Sequence, residues 1–125
     1  VTIETKIPQK VPMIRADIAL MDRVLQNLVD NALKHTPAGG KVAIELLNKA
    51  GRMEVRVADT GIGIPEDELP YIFDRYRKAG SRKREGAGLG LAIVKKILEM
   101  HQAEIFVRSK VNEGTEFWFE LQIGQ

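Results

Sequence analysis

The chain has 125 residues, a net charge of +2 and no cysteine. This length suits one domain with a hydrophobic core, the small net charge excludes a general attraction to nucleic acid, and the lack of cysteine excludes disulfides and thiolate metal sites. No apolar run approaches the roughly 20 residues of a membrane span, and no signal-peptide pattern opens the chain. We therefore expect a single domain over residues 1–125 in a reducing, cytoplasmic compartment. Because the chain begins within a predicted strand and without Met, we expect this domain to be excised from a longer protein.

The spacing of apolar residues predicts an alternation of strands and helices. The predicted strands are 1–7, 41–47, 52–58, 104–109 and 115–123, with a further short strand at 13–14. The predicted helices are 17–36, 66–73 and 88–101. Their expected buried faces are Met21, Leu25, Leu28 and Ala32 in the first helix, and Leu89, Ile93, Ile97 and Met100 in the last. This order predicts an α+β fold, a two-layer α/β sandwich whose mixed, mostly antiparallel sheet carries about three helices on one face.

The stretch from Asp59 to Pro65 contains a carboxylate at a strand end and two glycines one residue apart, Gly61 and Gly63. Glycine lacks a Cβ, so such a turn can bring main chain and one acidic acceptor against a flat ligand. Taken alone, the pattern is equally typical of an ordinary strand–turn. Its interpretation depends on the motifs before and after it.

The first predicted helix has a second stripe, Asn27, Asn31 and Lys34, beside its apolar face. Amides on a helix usually face solvent. However, Asn is a poor helix former, and two are placed here one turn apart. Amide oxygens are hard, neutral ligands that suit Mg²⁺, and a lysine meets a phosphate as a point charge. The stripe therefore indicates either a solvated face or a site for a metal ion and phosphate.

A second glycine cluster, Gly86, Gly88 and Gly90, leads into the last predicted helix. It is either a hinge or an anion site at a helix N-terminus. The basic segment 75–84 precedes it, and we predict a mobile loop over 75–88. Tyr76 is the only residue of the basic segment with a ring on which a base could stack, so nucleic-acid binding has little support. A charged lid over a polyphosphate is the more economical interpretation.

Together these segments resemble the ATP-binding catalytic domain of sensor histidine kinases, in the superfamily of gyrase, heat-shock chaperone and mismatch-repair ATPases known as the Bergerat fold. The resemblance covers nearly the whole chain. The matching segments are 27–36 (N box), 59–65 (first glycine box), 72–76 (F box), 86–91 (second glycine box) and the final 114–117. Each is weak alone, but together they occur in the family's order and at its separations.

The resemblance implies roles for individual residues. Asp59 matches the carboxylate that accepts a hydrogen bond from the adenine amino group, and Asn31 matches the Mg²⁺ ligand with Asn27 in the same site. His35 stands where the family usually has Tyr or Phe, and Glu85 stands where a glycine is frequent. The implied catalytic residues are Asn27, Asn31, Lys34 and Arg75. The implied nucleotide-site residues are Asn31, Lys34, His35, Asp59, Gly61, Gly63, Ile64, Tyr76, Lys78, Gly86, Gly88, Leu89, Gly90 and Thr115.

The resemblance also implies a reaction: transfer of the γ-phosphoryl group of ATP, with Mg²⁺, to a histidine on a separate dimerisation domain, and then onward to a response regulator. Asn27 occupies the position where ATP-hydrolysing relatives carry Glu, and an amide cannot act as a base. Neither His35 nor His101 has the context of a phosphate acceptor, so we expect a monomer that binds nucleotide and needs its partner domain for turnover. The domain is then the cytosolic part of a sensor. The alternatives are an ATP-hydrolysing conformational switch, a non-catalytic nucleotide-sensing module and a serine kinase of the anti-sigma type.

Overall fold

The computed structural model describes the backbone of residues 1–6, 18–74 and 87–122, and the side chains of all of these except 18 and 87–89. The helices are α1 (Ile18–His35) and α2 (Ala87–Met100). The strands are β1 (Thr2–Lys6), β2 (Lys41–Lys49), β3 (Arg52–Asp59), β4 (Ile105–Lys110) and β5 (Gly114–Gln122). Neither described helix is both long and apolar enough to span a membrane.

The strands form one sheet in the order β1-β2-β3-β5-β4. β1 pairs with β2 in parallel, and the other three pairs are antiparallel. This confirms the mixed, mostly antiparallel sheet of the predicted two-layer α+β fold. β3 is the central strand of the sheet, and Asp59 is its last residue. The segment 59–65, which we call the glycine turn, therefore leaves the sheet where its central strand ends.

The core lies between the two helices and one face of the sheet. Alternate residues of β3 and β5 point into it, because successive side chains of a strand face opposite ways. The buried apolar residues of the strands are Val42, Met53, Val55, Val57, Phe117, Phe119 and Leu121, and those of the helices are Val24, Leu28, Ala32, Leu91, Val94, Ile97 and Leu98. The predicted face of α1 is thus confirmed at Leu28 and Ala32, while Met21 and Leu25 are half-buried at its margin.

The other face of the sheet is covered by its own charged side chains. Glu54 is only 1% exposed, and its carboxylate lies 2.7 Å from the Lys49 ammonium and 2.6 Å from the Arg56 guanidinium. Arg56 also pairs with Glu116 at 2.6 Å and lies over the Trp118 ring, 5.2 Å from its centroid. These groups form a continuous polar layer, which we call the outer-face ion-pair layer.

Two predictions about helices were wrong. The segment 66–73 is not a helix but contains one 3₁₀ turn, Leu69–Tyr71, so the described residues hold two α-helices rather than about three. Pro70 lies in this segment and has no backbone N–H, which prevents a regular α-helical bond there. Met100 does not face the core and is 62% exposed, because it lies about 200° around α2 from the buried Leu98.

Most strand ends agree with the prediction to within two residues. The β2–β3 hairpin is tighter than expected, since β2 continues to Lys49 and only Ala50 and Gly51 form the turn, with φ +73° at Gly51. The predicted short strand at 13–14, the start of the first helix at Asp17, most of the predicted loop 75–88 and the end of the last strand at 123 lie outside the described residues.

Candidate functional site

The glycine turn after β3 is fixed by hydrogen bonds on both of its sides. Asp59 Oδ1 accepts a hydrogen bond from the Gly61 amide at 2.8 Å, which closes the turn on itself. The Ile62 amide donates to the His35 carbonyl at the end of α1 (3.0 Å), and the Ile62 carbonyl accepts from the Asn112 amide in the β4–β5 turn (2.8 Å). The turn therefore connects the first helix to the last hairpin.

Both glycines of this turn are required by neighbouring backbone. A Cβ on Gly61 would lie 2.2 Å from the His35 carbonyl oxygen. Gly63 has φ +77°, and a Cβ there would lie 2.2 Å from the Lys110 carbonyl oxygen. These distances are far below van der Waals contact. The sequence interpretation explained the absence of these Cβ atoms by the approach of a ligand, whereas in the structure the protein's own main chain is what approaches both glycines.

Asp59 is a buried carboxyl group, 9% exposed, at the centre of the sheet edge. Burial raises its pKa, and the amides of Gly61 and Thr115 and the nearby His35 oppose that shift in part. Thr115 is the residue directly opposite Asp59 in the β3–β5 pair and is 7% exposed. An acidic acceptor and a hydroxyl thus lie side by side on the helix-facing side of the sheet.

The two amides of the N box lie where the sequence stripe placed them, but Lys34 does not share their burial. Asn31 is 6% exposed, and its Oδ1 has no hydrogen-bond partner in the part of the chain that the structure describes. The same holds for the buried Nδ2 of Asn27. Lys34 is exposed. A buried polar atom without a partner costs about 1–3 kcal/mol, so these atoms indicate a place for a polar ligand.

Gly90 of the second glycine box lies against Asn27 of the N box. A Cβ on Gly90 would be 3.6 Å from Asn27 Oδ1, so α2 approaches α1 closely at this point. Gly88 and Leu89 belong to the first turn of α2. Arg75, Tyr76, Lys78 and Gly86 lie outside the described residues, and their predicted roles stay predictions.

His35 has a defined orientation at the end of α1. Its Nδ1 lies 2.8 Å from the carbonyl oxygen of Asn31, one turn earlier in the helix. Because that oxygen can only accept, Nδ1 carries the proton in this contact. The imidazole ring is thereby held beside the N box, and its own backbone carbonyl supports the glycine turn.

Ser109 is a residue that the sequence analysis missed. Its hydroxyl lies 2.8 Å from the Ile64 amide and 2.7 Å from the Thr115 hydroxyl. A signal was available in the sequence: β4 alternates Ile105, Val107 and Ser109 on one face, so a polar residue stands at a core-facing position. The hydroxyl joins the glycine turn to the last strand.

The structure therefore brings together residues from the end of α1, the glycine turn and the β4–β5 hairpin. One connected set joins the N box to the glycine turn through backbone and side-chain contacts and consists of Asn31, His35, Asp59, Gly61 and Ile62. A second set joins the glycine turn to the last hairpin and consists of Gly63, Ile64, Ser109 and Thr115.

Residues 16–125 match the model of the histidine kinase-, DNA gyrase B- and HSP90-like ATPases. The chain belongs to this family. Among its relatives, the adaptive-response sensory kinase SasA of Rippkaea orientalis (strain PCC 8801 / RF-1) is 40% identical over 98% of this chain, and SasA of Synechococcus sp. (strain CC9311) is 41% identical over 100% of it. The chain spans only 32% and 33% of these two proteins.

Solved structures place the chain among the histidine kinases of this family. The catalytic domain of histidine kinase ThkA superposes with a TM-score of 0.83 at 30% identity, covering 98% of this chain and 78% of that one. Full-length ShkA in complex with AMPPNP gives a TM-score of 0.83 at 32% identity over 98% of this chain and 26% of ShkA. The mycobacterial sensor histidine kinase MprB gives 0.82 at 31% identity, over 97% and 84% of the two chains. The fold is that of a sensor histidine kinase ATP-binding domain, as the four boxes predicted.

Proposed function

We propose that this single domain binds ATP with Mg²⁺ and transfers the γ-phosphoryl group to a histidine on a separate dimerisation domain. The observation that carries the proposal is the buried Asp59 carboxyl group at the edge of the sheet, opposite Thr115 and beside the glycine turn. The Gly61 amide donates to its Oδ1 and the Thr115 amide also hydrogen-bonds the carboxylate, which keeps further lone pairs that can accept a hydrogen bond from a base. A carboxylate in this position selects a base that carries an amino group.

The polar groups of the N box suit the phosphate end of the nucleotide. Asn31 Oδ1 is a buried oxygen without a partner in the described chain, which is the kind of ligand that Mg²⁺ accepts when phosphates supply the others. We assign Asn31 as the metal ligand, with Asn27 lining the same site. The described residues contain no group of three or more His, Cys, Asp or Glu that could hold a metal ion without the nucleotide. When bound, Mg²⁺ neutralises charge on the phosphates.

The residues around Asn31 favour transfer of the phosphoryl group over hydrolysis of ATP. Asn27 lies next to Gly90 at the close approach of α1 and α2, and its amide has no basicity with which to activate a water molecule. The exposed Lys34 adds a positive charge one turn beyond Asn31. A histidine nucleophile brings its own lone pair, so positioning and charge neutralisation are the domain's main contributions.

Other partners follow from this proposal. The relatives are sensory kinases about three times longer than this chain, so the acceptor histidine and the sensor are expected outside it. We propose a cytoplasmic domain, monomeric when isolated, that acts with the dimerisation domain of its own kinase and supplies phosphate for a response regulator.

Calorimetry tests the binding step. ADP and a non-hydrolysable ATP analogue are titrated, with and without Mg²⁺, into the wild-type domain, Asp59→Asn and the control Asp67→Asn, whose side chain is exposed. We expect selective binding of adenine over guanine nucleotides, strengthened by Mg²⁺, reduced about 10- to 100-fold by Asp59→Asn and unchanged by the control. Equal binding by wild type and Asp59→Asn would contradict the proposed site.

Mixing the domain with histidine-bearing dimerisation domains and γ-labelled ATP tests the transfer step. Label that stays on a histidine supports the proposal. Steady release of inorganic phosphate by the domain alone would instead identify a hydrolysing switch, and binding without transfer to any acceptor would identify a nucleotide-sensing module.

A further inference from the structure

Ser109 makes three hydrogen bonds at the end of β4. Its Oγ lies 2.8 Å from the Ile64 amide, 3.0 Å from the Gly114 carbonyl oxygen and 2.7 Å from the Thr115 hydroxyl oxygen. Ile64 belongs to the glycine turn, and Gly114 and Thr115 are the first two residues of β5. A single half-buried hydroxyl thus joins the glycine turn, which follows Asp59, to the start of β5, which pairs with Asp59.

The directions of these three bonds follow from counting protons. A serine hydroxyl has one proton to donate and two lone pairs that can accept. The Ile64 amide can only donate, and the Gly114 carbonyl can only accept. All three bonds form together only if Ser109 donates to Gly114 and accepts from both Ile64 and Thr115. The Thr115 hydroxyl proton is then held by Ser109, and the remaining lone pairs of Thr115 Oγ1 can only accept.

The side chains of Thr115 and Asp59 then both present hydrogen-bond acceptors to a ligand. They are direct partners across β3 and β5, and their side chains lie on the same face of the sheet. The ionised Asp59 carboxylate can only accept, and one of its oxygens already accepts from Gly61. A base that meets these two residues therefore finds acceptors and no hydroxyl donor.

We propose that Ser109 is a specificity-determining positioning residue: by holding the hydroxyl proton of Thr115, it keeps this wall of the pocket free of donors and so excludes 6-oxo purines. This inference rests on the proposed function, because it assumes that the base of the nucleotide lies against Asp59. A 6-amino purine donates from its exocyclic nitrogen, whereas a 6-oxo purine presents an acceptor there. Two acceptors facing each other without a proton leave buried polar groups unpaired, which is the strongest source of discrimination between similar ligands.

The test compares ADP with inosine 5′-diphosphate, which carries oxygen in place of the 6-amino group and has no 2-amino group to complicate the comparison. Both dissociation constants are measured by calorimetry for wild type, Ser109→Ala, Thr115→Val and the double variant. We expect the wild type to prefer ADP. In Ser109→Ala the Thr115 hydroxyl is free to rotate and donate to a 6-oxo group. The dissociation constant of inosine 5′-diphosphate divided by that of ADP should therefore fall about tenfold.

The other variants separate this role from simple support of the fold. Thr115→Val removes the hydroxyl that Ser109 controls, so adding Ser109→Ala to it should not change the ratio further. Ser109→Thr keeps the hydroxyl and should keep the wild-type ratio. Ser109→Cys has nearly the volume of serine and weak hydrogen bonding. It should show the reduced ratio even if Ser109→Ala does not fold.

The outcomes distinguish this inference from the proposed function. If Ser109→Ala and Ser109→Cys weaken ADP and inosine 5′-diphosphate by the same factor, Ser109 only supports the glycine turn and the inference is overturned. If the ratio falls in the double variant relative to Thr115→Val, the effect does not pass through Thr115 and the inference is again overturned. If the wild type binds neither nucleotide, the proposed function fails first.

Discussion

The carbonyl oxygen of His35 lies 2.2 Å from the position that a Cβ on residue 61 would take, far inside van der Waals contact. The same oxygen accepts the Ile62 amide at 3.0 Å. The end of α1 and the glycine turn are therefore in direct backbone contact, and the position of the N box depends on the absence of a side chain at Gly61.

Gly61→Ala should destabilise the domain and abolish nucleotide binding. The methyl group must displace the end of α1 or the turn, and overpacking of this kind costs about 1–3 kcal/mol in unfolding free energy. Urea unfolding measures the loss, and calorimetry with ADP measures binding. Gly39→Ala is the control. Gly39 has a positive φ, +87°, which Gly61 does not have, but its Cβ would meet nothing within 4 Å, so this variant should show only the backbone cost and retain binding.

Asp59→Asn should make the nucleotide-free domain more stable at neutral pH while it weakens nucleotide binding about 10- to 100-fold. Burial raises the pKa of Asp59 above its unfolded value, so its contribution to stability is fully present below the unfolded pKa and is lost as pH rises through the folded pKa. The variant carries no such charge. In thermal unfolding from pH 4 to pH 8, the unfolding temperature of the wild type should fall relative to that of Asp59→Asn as pH rises. A constant difference across this range would contradict the buried, raised-pKa description.

Asn31→Ala should remove the effect of Mg²⁺ on nucleotide affinity. The variant deletes the buried oxygen that has no partner among the described residues, so the free domain should lose little stability or gain some. Calorimetry with ADP in Mg²⁺ and in EDTA gives the ratio of affinities, which should approach one. Gln26→Ala, an exposed change on the same helix, should keep the wild-type ratio. A full Mg²⁺ effect in Asn31→Ala would place the metal on other ligands.

Glu54→Ala should destabilise the domain without touching the candidate site. Burial raises the pKa of Glu54, but the hydrogen bonds and charges of Lys49 and Arg56 outweigh burial, so the net pKa is below its usual range. Its stabilisation is therefore present above the unfolded pKa and is lost as pH falls through the folded pKa. Removing it leaves Arg56 and Lys49 without their closest shared carboxylate, and we expect a loss of about 1–3 kcal/mol at pH 7.

Urea unfolding at pH 7 and near pH 3.5 measures this effect, and the gap between wild type and Glu54→Ala should shrink at the lower pH. Glu113→Ala serves as the control. Glu113 is exposed and lies 3.6 Å from Lys110, and exposed pairs contribute about 0–1 kcal/mol. A Glu54→Ala variant as stable as Glu113→Ala would show that the outer-face ion-pair layer contributes little.

The spacing of apolar residues along the chain predicted the helices and strands that bury one face against the core. The period of α1 and the alternation in β3 and β5 predicted the ends of these elements that lie within the described residues to within two residues, because each element buries one face against the same core. The segment 66–73 failed because Pro70 removes a donor in the middle of an otherwise helical composition. The prediction that Met100 faces the core was wrong. Its spacing from Ile97 fits one helical face, but Met100 lies on the side of α2 opposite the fully buried Leu98.

The sequence proposes the residues of the candidate site, but it does not predict the contacts among them. Asp59, Asn31 and Thr115 followed from the resemblance. The contact of Gly61 with the His35 carbonyl and the three bonds of Ser109 depend on strands and helices that are distant in sequence, and no local pattern encodes them. Ser109 in particular is one polar residue at an inward position, and only the tertiary structure shows what it meets there.

The pairing of β3 with β5 also governs when the site can exist during synthesis of the chain. Arg56 and Glu116, which pair across these strands, are 60 residues apart in sequence. Until β5 leaves the ribosome, β3 has one unpaired edge, the core lacks Phe117 and Phe119, and Asp59 has no Thr115 beside it. Such long-range pairing is slow to form, because the chain must close a large loop first. A nascent chain therefore gains the complete pocket only after β5 has been synthesised, and nucleotide binding then favours the finished fold by mass action.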